Sequence, residues 1–168
     1  MFLALMIAAS LVQSAGTLAF DPPAAWKPRP AASSMRVAEF VAAKAPGDPE
    51  DAEVIVYYFG GGGGSVEANV QRWIAQFEQK SGRSAADAGR TTFNVGRLRI
   101  TTVDVSGTYV AEVSPGAAER HHKPDFRMRA AVVETPRGPY FVKFTGPRAT
   151  VTQHSTSFDQ FLKSLRFQ

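Results

Sequence analysis

Residues 126–144 read FRMRAAVVETPRGPYFVKF, two apolar runs separated by a short turn. The runs predict two strands, Phe126 to Thr135 and Tyr140 to Phe144, because β-branched and aromatic residues dominate both. The four residues between them, Pro136-Arg137-Gly138-Pro139, have the chemistry of a turn. The stretch therefore predicts a β-hairpin.

The β pattern continues on the N-terminal side of this hairpin. Arg90 to Val95, a turn at Gly96 and Arg97 to Val110 predict two further strands. The longer one should present two sets of residues to opposite faces: Leu98, Ile100, Thr102 and Asp104 to one, and Arg99, Thr101, Val103 and Val105 to the other.

Two earlier apolar segments predict another hairpin. Residues 35–41 alternate, with Met35 and Val37 against Arg36 and Glu39, and residues 53–59 read EVIVYYF, typical of a buried strand. The loop between them, 46–51, is rich in proline and acidic residues. Still farther upstream, residues 18–30 predict a short strand followed by a proline-rich turn around Trp26. The prolines confine this stretch to a sheet edge or a loop.

Apolar residues recur at helical spacing in two places. Ser65 is a good N-cap for a helix that should end between Gln79 and Gly82, and a polar connector, Arg83 to Arg90, follows it. Val151 to Phe167 predicts a second, terminal helix. The order of elements predicts an α+β fold in which an antiparallel β-sheet is covered by two amphipathic helices as a sandwich.

The N-terminal 16 residues predict a signal peptide. Residues 2–12 are almost entirely apolar, too few to span a bilayer, and small residues follow, so we expect cleavage near Ala15. A buried N-terminal helix is the alternative. The prediction makes residues 17–168 a single α+β domain that is periplasmic or secreted, without stable membrane insertion after the signal is removed.

The composition excludes many kinds of chemistry. The chain has 168 residues, 44% of them hydrophobic, and no cysteine, which fits one globular domain and excludes disulfides, thiol nucleophiles and Cys-ligated metal sites. No Gly-x-Ser-x-Gly elbow or P-loop lysine is present. We therefore assign no catalytic residue, no metal and no cofactor.

Charge is distributed unevenly along the chain. Residues 1–82 carry a net charge of −2 and residues 83–168 carry +6. The basic half predicts a docking surface for a partner protein or an anionic envelope component, rather than for nucleic acid. The arginines that we expect to form it are Arg97, Arg99, Arg127 and Arg129. A solvated face that keeps the protein soluble is the alternative.

Five consecutive glycines, Gly60 to Gly64, lie between a predicted strand and a predicted helix. Free backbone N–H groups at a helix N-terminus can hold an anion, so Gly62, Gly63, Gly64 and Ser65 form a candidate anion-binding site. The alternative is a mobile connector that lets the strand turn into the helix.

The chain resembles the Mog1/PsbP-like superfamily, whose bacterial members are small exported domains. The resemblance rests on the opening run FDPPAAW, residues 20–26, on the closing run GPYFVKFTGP, residues 138–147, and on SFDQFLKSL, residues 157–165. It implies the same sandwich fold and an exported, non-catalytic binding or accessory domain.

Two other functions compete with this one. A small hydrolase would use the Gly60 loop together with His121 and His122, although a solvated polar loop explains these histidines as well. A small-ligand carrier would need an aromatic cavity. The residues that could line it are Trp26, Tyr57, Tyr58, Trp73, Tyr109 and Tyr140.

Overall fold

The computed structural model of the protein describes residues 16–78 and 88–168. The predicted signal peptide, apart from its last residue, lies outside the described residues, as do the predicted helix end at 79–82 and the connector at 83–87. Ten strands and three helices occupy the described part of the chain. They are β1 Leu18–Ala19, β2 Trp26–Arg29, β3 Arg36–Ala42, β4 Ala52–Tyr58, α1 Val66–Ile74, β5 Phe77–Glu78, β6 Gly89–Val95, β7 Leu98–Tyr109, β8 Lys123–Glu134, β9 Tyr140–Pro147, α2 Arg148–Gln153, α3 Ser155–Lys163 and β10 Arg166–Phe167.

Eight of these strands form one antiparallel sheet. Its order is β2-β3-β4-β9-β8-β7-β5, and β6 also pairs with β7. The predicted hairpins β3–β4, β6–β7 and β8–β9 are all confirmed. β2 contains Pro28 and lies at the edge, where a residue without an N–H group costs the sheet no hydrogen bond. β1 and β10 pair separately as a two-stranded sheet.

The sheet has a hydrophobic core on each side. On one side, which we call the α3 face, α2, α3 and β1 cover a cluster that includes Trp26, Phe144 and Phe158. On the other, the α1 face, α1 and β5 cover a cluster that includes Trp73 and Phe141. The alternation predicted for β7 is confirmed, because Leu98 and Ile100 belong to the first cluster and Val103 and Val105 to the second.

The prediction of an antiparallel sheet covered by two amphipathic helices is wrong. The described chain is mostly β and has three short helices, of nine, six and nine residues. The first predicted helix ends early, at Ile74, because Phe77 and Glu78 pair with the end of β7. α1 packs mainly on β7 and β8.

The predicted terminal helix is broken at His154. His154 is buried, and its Nε2 lies 3.0 Å from the carbonyl oxygen of Ala43, so a contact with the end of β3 holds the residue between α2 and α3. Thr150 of α2 donates its backbone N–H to Asp48 over 2.8 Å. The β3–β4 loop therefore sets the position of α2, and this contact is not visible in the helical periodicity.

The strand predicted at 35–41 is confirmed as β3, but its side chains do not alternate regularly. The register between β3 and β4 shifts between Arg36 and Ala38, as at a β-bulge. Phe40 is buried in the core, whereas Met35 and Val37 are exposed. An extra residue reverses the side-chain alternation on its two sides, which the period alone cannot reveal.

Candidate functional site

The predicted anion-binding loop packs against the β8–β9 turn. Ser65 caps α1 as predicted, because its Oγ accepts the backbone N–H of Ala68 at 3.1 Å. Asn69 Nδ2 donates to the carbonyl oxygens of Gly63 and Ser65, each at 2.8 Å, and holds the loop in place. The open pocket beside Gly64 and Ser65 is lined by Glu134, whose carboxylate pairs with Arg99. The arrangement supports a structural role for this loop better than an anion site.

Gly61 and Gly138 bring the loop and the turn into backbone contact. Gly138 has φ +98°, and a Cβ on it would lie 2.5 Å from Gly61 Cα. We expect Gly138→Ala to lower the free energy of unfolding by about 2 kcal/mol, since it combines left-handed backbone strain with a clash against main chain. Gly47→Ala is the matched control, because Gly47 has φ +90° and no atom near the added Cβ. Urea unfolding should show a larger loss for Gly138→Ala, and equal losses would contradict the close approach.

The four predicted docking arginines do not share a surface. Arg97 lies exposed in the β6–β7 turn, and Arg99 faces the α1 side, where its Nε lies 3.5 Å from a carboxylate oxygen of Glu134. Arg127 and Arg129 face the α3 side. A single basic docking surface would have to bend around the sheet to include all four.

Arg127 and Arg129 hold α2 and α3 to the sheet. Arg127 donates to both carboxylate oxygens of Asp104, over 2.9 and 2.6 Å, and to Thr152 Oγ1 of α2 over 2.9 Å. Arg129 donates to Asp159 of α3 over 2.7 Å. These contacts satisfy both guanidinium groups within the fold, so they leave little of either for a partner.

The glycine loop and the histidines lie at opposite ends of the sheet. Gly61 contacts the turn that follows β8. His121 lies just before β8 begins, and its ring stacks on that of Tyr109, with the two ring centroids 5.4 Å apart. β8 has 12 residues and spans on the order of 35 Å. The structure therefore separates the glycine loop from the two histidines, which the predicted hydrolase would need in one active site. In the described ranges, no three metal-ligating side chains converge.

The six aromatic residues considered for a ligand cavity are divided between the two faces of the sheet. They therefore do not line one cavity. Trp26, Tyr58 and Tyr140 pack on the α3 face, and Tyr57, Trp73 and Tyr109 pack on the α1 face.

The α1 face contains a cationic site that the sequence analysis did not single out. Lys143 lies in β9 and projects to the α1 face, the same face as Phe141 and Thr145. Its cross-strand neighbours are Ile55 on β4 and Ala130 on β8. Its side chain is largely buried. The single signal in the sequence was a lysine within the apolar run YFVKF.

The Lys143 ammonium group has a neutral hydrogen-bond partner. Nζ donates to Gln76 Oε1 over 3.1 Å, and Gln76 lies just after the end of α1. Burial lowers the pKa of Lys143, and the charges of Arg72 and Arg36 lower it further, to about 8, against a smaller opposing effect of Glu53. The fold therefore disfavours the charged form of Lys143.

The carboxylates of Glu39 on β3 and Glu53 on β4 are paired with arginines. Glu39 is 2% exposed, and its oxygens lie 2.9 Å from Arg29 Nε and 3.0 Å from Arg36 Nη1. Glu53 pairs with Arg29 as well. In the part of the chain that the structure describes, no carboxylate contacts Lys143 directly.

Hydroxyl groups also lie on the α1 face. Burial raises the pKa of Tyr57, and burial with the nearby Tyr57 and Glu53 raises the pKa of Tyr109 to about 12, so both phenols remain protonated donors at neutral pH. Thr145 Oγ1 is buried and has no hydrogen-bond partner among the described residues. Buried polar atoms without partners are uncommon, and one beside a buried cation points to a ligand.

Comparisons with protein-family models and with curated proteins give no match for the chain. The resemblance to the Mog1/PsbP-like superfamily therefore stays a prediction. Within residues 16–78 and 88–168, no helix has the length and apolar character needed to cross a membrane.

Proposed function

We propose that this protein is an exported, non-catalytic binding domain that holds an anionic group of an envelope ligand on its α1 face beside Lys143. The observation that carries the proposal is the largely buried ammonium group of Lys143, which has a neutral amide as its hydrogen-bond partner. A bound carboxylate or phosphate would supply the missing negative charge and accept the remaining N–H donors.

The surroundings of Lys143 support an anion over a cation or a neutral ligand. Arg72 and Arg36 add positive charge, while Glu39 and Glu53 are already paired. The Thr145 hydroxyl supplies one more donor two residues along β9. The exported, accessory role agrees with what the Mog1/PsbP-like resemblance and the predicted signal peptide imply. A hydrolase has less support, because its proposed groups lie at opposite ends of β8.

The first experiment uses calorimetry to measure the binding of inorganic phosphate and of octanoate. The protein is expressed from the full chain and purified in the form that its own cells produce. We expect binding by the wild-type protein and a loss of about tenfold or more in affinity on Lys143→Met, the usual size for one charge-assisted contact. Lys163→Met is the matched control, since Lys163 is exposed in the last turn of α3 on the opposite face. Equal affinities for wild type and Lys143→Met would refute the proposal.

The pH dependence of binding provides a second test. Octanoate stays ionised around neutral pH and binds protonated Lys143, so its affinity should be steady between about pH 6 and 8 and fall by roughly tenfold per pH unit above pH 8. The phenols of Tyr57 and Tyr109 stay neutral near pH 8, because burial raises the pKa of both.

Lys143→Arg separates this titration from other effects. It should keep the affinity and remove its dependence on pH, since a guanidinium stays charged throughout the range. If the affinity of the Lys143→Arg variant still falls above pH 8, another group is responsible.

A further inference from the structure

β6 forms most of one edge of the eight-stranded sheet. It pairs with β7 on one side, and no described strand pairs with its other side. Its seven residues include no proline, their register with β7 is regular, and five of them are exposed. Natural sheets usually protect their edges against pairing with other chains, so an open edge of this length indicates an interaction surface.

The opposite edge of the sheet, β2, has this kind of protection. The strand has four residues, and Pro28 among them has no N–H group to donate. The N–H of Trp26 already donates to the carbonyl oxygen of Pro23 over 2.9 Å. Lys27 and Arg29 add positive charge along the same strand. β2 therefore offers few backbone groups to a further strand, whereas β6 is open.

The turn between β6 and β7 determines which backbone groups of β6 point outward. It has two residues, 96–97, and Val95 and Leu98 pair with each other across it. The two residues that close such a turn exchange hydrogen bonds, and bonded and non-bonded pairs then alternate along the two strands. The residues whose N–H and C=O groups point away from β7 are therefore Arg90, Thr92 and Asn94.

We propose that β6 pairs antiparallel with β6 of a second copy of this chain, so that two sheets join into one across a two-fold axis. The axis passes beside Thr92, which lies opposite Thr92 of the second copy. Arg90 lies opposite Asn94 in this register, and each outward residue donates one backbone N–H group and accepts one. The inference goes beyond the proposed function, since Lys143 lies on β9 and β8 and β7 separate it from β6.

The charges along β6 favour a second copy as the occupant of the edge. Arg90 is the single ionisable residue of the strand, and the two-fold register places it opposite Asn94 rather than opposite itself. Arg90 also donates to Glu67 of α1 over 2.5 Å, a contact that neutralises its charge and draws the guanidinium toward α1. Pairing therefore brings no like charges together across the axis.

The side chains on both faces of β6 also fit this register. Phe93 packs on the core of the α3 face and lies beside Thr91 of the second copy, a favourable pair of an aromatic with a β-branched residue. Thr92 faces the α1 side, where its Oγ1 lies 3.2 Å from Thr101 Oγ1. Two threonines opposite each other are likewise a favourable cross-strand pair.

A contact through one pair of strands is small, so we expect a reversible dimer with a dissociation constant in the micromolar range. The net charge of +4 on each copy opposes association. Salt should therefore strengthen the dimer, because it screens this repulsion.

Sedimentation velocity of the purified protein over a range of concentrations tests the proposal. We expect a monomer–dimer equilibrium for the wild type. Thr92→Lys should weaken the dimer by about tenfold or more, because it sets two ammonium groups opposite each other. Thr156→Lys is the matched control, since Thr156 is exposed on α3 and the change adds the same charge away from β6. It should leave the equilibrium close to that of the wild type.

A charge-swap experiment tests the two-fold register itself. Thr92→Glu alone should also weaken the dimer, because it sets two carboxylates opposite each other. An equimolar mixture of the Thr92→Lys and Thr92→Glu proteins should form a dimer again, since unlike charges then meet on the axis. Circular dichroism verifies that every variant is folded.

Three results would overturn the inference. A wild type that stays monomeric at the highest concentration, with or without salt, would leave the edge to an extended segment of another protein. Equal losses for Thr92→Lys and Thr156→Lys would mean that overall charge, and not the edge, controls association. A mixture of the two Thr92 variants that stays monomeric would exclude the two-fold pairing of β6.

Discussion

Replacing Glu39 by alanine should lower the free energy of unfolding by about 2–3 kcal/mol, because the change removes a buried carboxylate that accepts hydrogen bonds from arginine side chains and a backbone N–H group. Arg29 and Arg36 both pair with this carboxylate, and the N–H of Ala32 donates to it over 2.6 Å. Urea unfolding at pH 7 measures the loss. Glu53→Ala is the control, since Glu53 is exposed and also pairs with Arg29, and it should cost at most about 1 kcal/mol.

The dependence of this loss on pH follows from the pKa of Glu39. Burial alone would raise that pKa, but hydrogen bonds from Ala32, Arg29 and Arg36 outweigh burial and hold it below its ordinary value. The stabilisation by Glu39 is therefore complete above the ordinary pKa of a glutamate and is lost as the pH falls through the lowered value. The difference between wild type and Glu39→Ala should shrink in acid, and a constant difference would contradict the role of the charge.

Lys143→Met should have the opposite effect and raise the free energy of unfolding at pH 7 by about 3 kcal/mol, because it removes a charge that the fold disfavours. The pKa of Lys143 is lowered from 10.5 to about 8, so the unfolded chain binds the proton more tightly than the folded one. The loss of stability caused by the charge of Lys143 is complete below pH 8 and disappears as the pH rises toward 10.5. Wild type should therefore gain stability over this range while Lys143→Met does not.

Urea unfolding of both proteins at pH 7, 9 and 10.5 tests this prediction. Lys163→Met, on the opposite face, should change the stability little at any of these values. A Lys143→Met variant less stable than wild type at pH 7 would mean that the ammonium group stabilises the fold. A residue that destabilises the free protein is expected at a binding site, and a saturating anion should narrow the difference between the two proteins.

Local signals in the sequence were sufficient for the hairpins and for the start of α1. The turn at 136–139, the turn at Gly96 and the N-cap Ser65 act through residues next to them in the chain, so their patterns can be read directly. The ends of elements were harder to predict. Phe77 has helical spacing but pairs with Tyr109 as a strand, and His154 interrupts a helical pattern because of Ala43. In both cases, a contact distant in sequence outweighs the local preference.

The candidate site was almost invisible in the sequence. Lys143 differs from other basic residues only by its place in an apolar strand, and the arginines first chosen for docking serve different purposes. Arg127 and Arg129 were expected to belong to a docking surface, yet they bind Asp104 and Asp159 and hold the helices in place. A residue's partners depend on sheet order and register, which composition and spacing do not specify.

The amino-acid sequence by itself determined the antiparallel hairpins, the inward and outward faces of β7 and the cap of α1, because these depend on side-chain alternation and backbone preference over a few residues. It also determined the absence of thiol chemistry, since the chain has no cysteine. Only the tertiary structure brought Lys143 under Gln76 and near Arg36 and Arg72, which lie 67, 107 and 71 positions away in the sequence. The register of β3, β4 and β9 and the packing of α1 decide that neighbourhood, and they decide which surface is left exposed.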